Sequence, residues 1–124
     1  MKVKVSEATP LQLNWMVSAA ESVAVVIRRW TFDGEKFLVH APGQFSEEAV
    51  WCPSEDWAQG GPIIERERIM LIPEPNGRLW TGCIGDTDAG GKAAYAHAPL
   101  IAAMRCYVVS KLGDTVDVPK ELLK

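Results

Sequence analysis

The chain has little of what usually betrays a protein's chemistry. Three cysteines, Cys52, Cys83 and Cys106, occur among 124 residues. Their number is odd and no two form a CxxC pair, which argues against a disulfide framework and fits reduced thiols in a cytoplasmic setting. No apolar run approaches membrane-spanning length, the opening MKVKVSEATP has no apolar signal-peptide stretch, and no N-x-S/T sequon occurs. A cytoplasmic protein with no membrane partner is the expectation. Cations are also sparse: thirteen Lys and Arg stand against sixteen Asp and Glu, a net charge of -3. The basic residues are scattered, which disfavours duplex nucleic acid, whose binding needs clustered cations. Low-complexity segments and internal repeats are missing as well.

Catalytic and metal-binding signatures fail on inspection. In GDTDAGGKA, Asp86 stands where a Walker A loop needs its first Gly, and Ala93 stands where the magnesium-binding hydroxyl belongs. As an EF-hand loop, Asp86, Asp88 and Gly91 are well placed, but Gly90 replaces a ligand and His97 replaces the bidentate Glu. His40 and His97 with Cys52 and Cys83 have none of the spacings of local zinc modules. No local motif joins a Cys to a His for nucleophilic catalysis, and Cys106 falls on an apolar helix where thiols are inert packing. We therefore expect no catalytic residue, no metal and no cofactor, and the reading leans towards a non-enzymatic protein.

What is present is a core. With 48% hydrophobic and 23% charged residues, the chain can bury roughly two-thirds of its unfolded surface as one domain. Its centre is the helix expected over Pro99 to Leu112, PLIAAMRCYVVSKL, with Pro at the first turn and Gly113 past the end. Leu100, Ile101, Met104, Val108 and Leu112 share one face, and Ala102, Cys106 and Val109 form a second apolar stripe. Thr9, Pro10 and Gln12 make a capping box for an earlier amphipathic surface helix. There Leu11, Trp15, Ala19 and Met16 share one side, and Asn14, Ser18 and Glu21 the other.

Strands are expected between these helices. Met1 to Val5 suits a short edge strand. Val23 to Ile27 is β-branched and continues to Phe32, Asp33-Gly34 signals a two-residue hairpin, and Lys36 to Val39 returns. The next ten residues, with Pro42, Gly43, Glu47 and Glu48, read as a surface loop. Pro53 to Pro62 is dense in turn formers, and Pro62 to Arg68 reads as a short helix. Ile69 to Ile72 and Leu79 to Ile84 flank an Asn76-Gly77 turn, and Gly85 to Lys92 reads as a glycine-rich loop. Beyond Gly113 the chain is expected to be extended, folding Val116, Val118, Leu122 and Leu123 back over the core. The class is α+β, an antiparallel sheet with hairpins flanked by helices.

Five tryptophans are many for this length. Trp15, Trp30 and Trp80 read most simply as core. Trp51 and Trp57 flank the turn-rich segment, which either presents an aromatic anchor to a partner or is pinned by it to its own domain; pinning is favoured. Stacking of single-stranded nucleic acid on this pair is the weaker possibility, because the basic groove it needs is not evident. Arg105 is the one charge in the middle of the central helix, so its guanidinium must reach solvent or pair. Asp56 and Glu65 are the candidate partners, as a structural ion pair or as part of an anion-binding pocket.

PSEDWAQGGPIIERE at Pro53 to Glu67 and PLIAAMRCYVVSKLGDTVDVPKEL at Pro99 to Leu122 closely resemble the NinX-like proteins of tailed bacteriophages and prophages. VKVSEATPLQLNWMVSAAE is similar in shape to that family's N-terminal helix. The chain departs from the family pattern at Asn14, where Asp commonly precedes the aromatic, and at Glu55, where Thr is frequent. The resemblance carries over no catalytic residues. It implies an accessory protein made in the bacterial host cytoplasm and, from similar small phage proteins, an α/β/α sandwich with helices on both faces of the sheet.

The functional expectation is a non-enzymatic interaction module that binds a host or phage protein through the Trp51 to Gly61 loop. Trp51, Ser54, Asp56, Trp57, Gln59, Gly60 and Gly61 are its candidate binding residues, with Glu65 and Arg105 nearby. The alternative is a small-ligand-binding or enzymatic role at a pocket near Arg105, Asp56 and Glu65.

Overall fold

A computed structural model describes residues 1–40, 49–85 and 90–123. Within them the central helix, α3, spans Pro99–Leu112, the span its boundary residues predict, with Pro99 in the first turn and Gly113 beyond the end at a φ of 93°. It buries Leu100, Ala102, Ala103, Met104, Cys106, Tyr107 and Val108, so it is covered on several sides. Leu112, expected on the apolar face, is exposed, and Tyr107, not counted there, is buried.

α3 lies across an antiparallel sheet of β4 (Met70–Pro73), β5 (Trp80–Ile84) and β6 (Lys92–Ala96), in that spatial order. The β4–β5 turn uses the expected residues: Gly77 takes a φ of 73°, and Asn76 Oδ1 accepts from the Arg78 N–H at 2.8 Å. The expected Gly85 to Lys92 loop lies outside the described residues at 86–89. Lys92–Ala96, not foreseen as a strand, pairs along β5 from Ile84↔Lys92 to Trp80↔Ala96. Its sequence, KAAYA, has weak β-propensity, and the backbone ladder with β5 overrides it.

α1 (Pro10–Glu21) starts at the predicted capping box, Thr9 Oγ1 accepting from the Gln12 N–H at 3.2 Å and Gln12 Oε1 from the Thr9 N–H at 3.0 Å. It is not a surface helix. Asn14 and Ser18, expected outside, are buried with Leu13, Met16 and Val17 against α3. Their burial is tolerated because both side chains find partners: the Ser18 hydroxyl donates to Trp15 O at 2.5 Å, and Asn14 Oδ1 and Nδ2 are each hydrogen-bonded as described below.

β2 (Val25–Arg29) and β3 (Lys36–His40) form the predicted hairpin, but its turn is longer than two residues. The Trp30 N–H donates to Glu35 O and the Gly34 N–H to Trp30 O, both at 2.9 Å. Trp30 is not core; it is exposed and stacks on Phe37 with ring centroids 4.1 Å apart. The segment with Pro42, Gly43, Glu47 and Glu48 lies outside the described residues. β1 (Lys2–Lys4) pairs with β7 (Thr115–Asp117), which brings Val116, Val118 and Leu122 into the core as expected.

The class is α+β with antiparallel pairing throughout the described strands. The layer order is not the implied α/β/α. α3 packs on one face of β4–β6, α1 packs on α3, and β3 of the hairpin packs on α1. Two helices thus lie between strand layers. The outer face of β4–β6 has no helix over it among the described residues, and it leaves Met70, Ile72 and Tyr95 exposed.

Candidate functional site

The turn-rich segment before α2 is built as an internal staple. α2 spans Trp57–Glu67, five residues longer at its start than Pro62 suggests, because Asp56 Oδ1 caps it by accepting from the Ala58 N–H at 3.0 Å. Pro62 sits inside this helix. Trp57, Gln59, Gly60 and Gly61 are therefore helical residues, and the expected loop ends at Asp56.

Asn14 of α1, 2% exposed, holds the segment. Its Oδ1 accepts from the Ser54 N–H at 2.9 Å and the Ser54 hydroxyl at 2.7 Å, and its Nδ2 donates to Glu55 Oε1 at 3.0 Å. Trp51, 8% exposed, donates its indole N–H to Asn14 O at 2.8 Å. Gln59 ties both ends together, Oε1 accepting from the Cys52 N–H and Nε2 donating to Val50 O, each at 2.7 Å. At Gly60 a Cβ would lie 2.4 Å from Pro53 O and 2.6 Å from Leu100 Cδ1, so only glycine lets the segment close on α3. Pinning is the role of Trp51, while Trp57 stays 53% exposed. Asn14 and Glu55, the two departures from the resembled pattern, are partners in one hydrogen bond.

Arg105 does not meet Asp56 or Glu65. Asp56 is occupied as the α2 cap, and Glu65 is exposed on α2. The guanidinium instead donates from Nη1 to Tyr95 O at 2.9 Å and from Nη2 to Ala8 O at 3.4 Å. Backbone carbonyls replace the expected carboxylates because β6, absent from the sequence reading, brings its edge to that side of α3.

The ion-pair cluster that does form was not read from sequence. Arg66 of α2 grips Glu21 of α1 through Nη1 at 3.1 Å and Nη2 at 2.6 Å, while its Nε donates to Glu67 at 2.9 Å. The Tyr107 hydroxyl of α3 donates to Glu21, and Lys111 lies 3.3 Å from Glu67. Burial pushes the Glu21 carboxyl up, but the Arg66 and Tyr107 hydrogen bonds outweigh it and hold its pKa below the ordinary value. Burial and the bond to Glu21 raise the Tyr107 phenol. Apart from the neighbours Arg66 and Glu67, the residues that meet here are 41 to 86 apart in sequence, so no local pattern announces the cluster. Because the Glu21 pKa is depressed, its contribution is complete above the ordinary Glu value of about 4.3 and fades as pH falls through the folded value. Glu21→Gln should lower stability by roughly 1–2 kcal/mol at neutral pH. In thermal melts, the gap from the native chain should close as the buffer is taken below about pH 4.

Neither Cys52 nor Cys106 has activated character. Burial, then the carboxylates of Asp56 and Glu55, raise Cys52, and burial pushes Cys106 up to about 11. Among the described residues no group of three or more His, Cys, Asp or Glu side chains is arranged to hold a metal ion, and no helix is long and apolar enough to cross a membrane.

A family model described as Bacteriophage P22, NinX matches residues 4–111, from β1 to the last turn of α3. No curated protein matches the chain.

Proposed function

The chain belongs to that bacteriophage family, and we propose that it is a non-enzymatic accessory protein whose work is to bind a host or phage protein. The observation that supports this is the outer face of β4–β6. Register places Met70, Cys83 and Ala93 in one cross-strand row and Ile72, Thr81 and Tyr95 in the next, all on the face away from Gly82 and α3. Met70 is 57%, Ile72 42% and Tyr95 56% exposed. Between Ile72 and Tyr95, on the middle strand, the Thr81 hydroxyl donates to Glu74 Oε1 at 2.6 Å, which puts one satisfied polar pair within the face.

Three other exposed aromatics among the described residues compete, Trp57 at the start of α2 and Trp30 and Phe32 at the β2–β3 tip. Each is a projection from a helix end or a two-stranded ribbon. The sheet face is three strands wide, hydrogen-bonded throughout and backed by the core helix, so an apolar protein surface can dock on it with little ordering cost. Within this reading the Trp51 to Gly61 segment is scaffold.

Affinity capture from phage-infected host cells tests the assignment. Ile72→Asp, Tyr95→Asp should keep the fold, because both side chains are already exposed, and should lose a protein that the native chain and Trp57→Ala both retain. Loss with Trp57→Ala and retention by the sheet-face variant would move the interface to α2.

A further inference from the structure

A groove of about 490 Å³ runs along the free edge of β6, between that strand and the β1–β7 ribbon. It is of the size that takes small organic ligands. Its lining is largely apolar, with Val5, Ala94 and Val109 among its walls. Three charged side chains also line it, Arg105, Lys4 and Asp114. Arg105 spends one N–H of Nη1 on Tyr95 O and one of Nη2 on Ala8 O, and it forms no ion pair with any carboxylate among the described residues. Its Nε is buried with no hydrogen-bond partner. A guanidinium has five N–H donors in a planar fork, so one N–H on each of Nη1 and Nη2 is left over. Burial alone, with no anion to offset it, pulls the Arg105 pKa below its ordinary value.

We propose that this groove binds a carboxylate carried on an apolar body, the carboxylate seated on the remaining Nη1 and Nη2 N–H groups of Arg105 and the body along Val5, Ala94 and Val109. The planar fork matches a carboxylate through two parallel N–H···O bonds. Lys4 adds a second cation and Asp114 subtracts one, so the groove favours a single negative charge over a phosphate dianion. Such a carboxylate could be supplied by a small organic acid or by the free C-terminus of a peptide, and the two share the same recognition chemistry. The groove meets the outer face at the β6 edge, where Ala93 and Tyr95 belong to both, but its test rests on ligand binding by the native chain and not on that interface.

The probes are octanoate, octanamide, and the peptide acetyl-Ala-Ala-Ala-Val-Leu with either a free or an amidated C-terminus, titrated into the native chain at millimolar concentration while backbone amide resonances are followed. Octanoate or the free-acid peptide should shift Val5, Ala94 and Val109 while the matched amide does not, and α2 should stay unmoved. A response to octanoate marks a small-acid site, and a response to the peptide acid alone marks a C-terminus site. Arg105→Gln should weaken binding roughly 10- to 100-fold, as expected for loss of charged hydrogen bonds. Silence of those resonances with both acids, or equal responses to acid and amide, would overturn the proposal. The acid-against-amide comparison on the native chain keeps it testable if Arg105→Gln does not fold.

Discussion

Gly82→Val should cost on the order of 3–5 kcal/mol, a large part of the total stability of a domain this size, and leave little native protein at 37 °C. Gly82 is where β5 presses on the central helix. A Cβ there would stand 2.7 Å from Ala102 O, 3.0 Å from the Ala102 carbonyl carbon and 3.2 Å from Ala103 N. All three are helix backbone atoms, which cannot swing aside as a side chain can. Relief requires lifting the sheet from α3, and with it the packing of Leu71 and Ile84 on the core. Gly61→Ala is the control: its Cβ would meet nothing within 4 Å. At a helical position it should stabilise by about 0.5–1 kcal/mol. Urea midpoints of the two variants should therefore move in opposite directions.

Asn14→Leu should cost roughly 3 kcal/mol or more. It leaves the buried Ser54 N–H and hydroxyl without their shared acceptor, each worth about 1–3 kcal/mol when stranded. The Trp51 bond survives because it goes to the Asn14 backbone. Asn14→Asp keeps the acceptor but sets a carboxylate against Glu55, whose Oε1 is 3.0 Å from Asn14 Nδ2. Alone it should destabilise; combined with Glu55→Thr, which removes the facing charge, much of the loss should return. A double-mutant cycle on denaturation free energies should give a coupling of about 1 kcal/mol or more. Additive changes would mean that the two positions are not energetically joined.

How legible this molecule is in its sequence depends on the range of the interactions. The α3 span, the Thr9 capping box and the Asn76-Gly77 turn are local, written in residues one to four apart, and all three stand in the structure. The sequence pattern starts α2 too late because Pro62 and two glycines mimic a loop, whereas the Asp56 cap and the close fit of Gly60 on Leu100 select a helix. On α1 a hydrophobicity pattern puts Asn14 and Ser18 outside because it counts them as polar, and the partners that satisfy them in the core lie far off in sequence or in the backbone. β6 could not be read because alanines carry little strand signal; the two alternating cross-strand rows that make the outer face exist only once it is paired. Of the candidate site residues, Trp51, Ser54, Asp56, Gln59 and Gly60 converge, but on their own scaffold. Arg105 was separated from its supposed partners by the same unseen strand.

The proposed interface is the outer face of β4–β6, with the segment leading into α2 as scaffold. Site-specific photocrosslinking tests this most directly, with benzoylphenylalanine in place of Tyr95 in one chain and of Trp57 in another, irradiated in host cells during infection. A covalent adduct to one discrete protein is expected from position 95 and none from position 57. An adduct from position 57 with nothing at position 95 would contradict it.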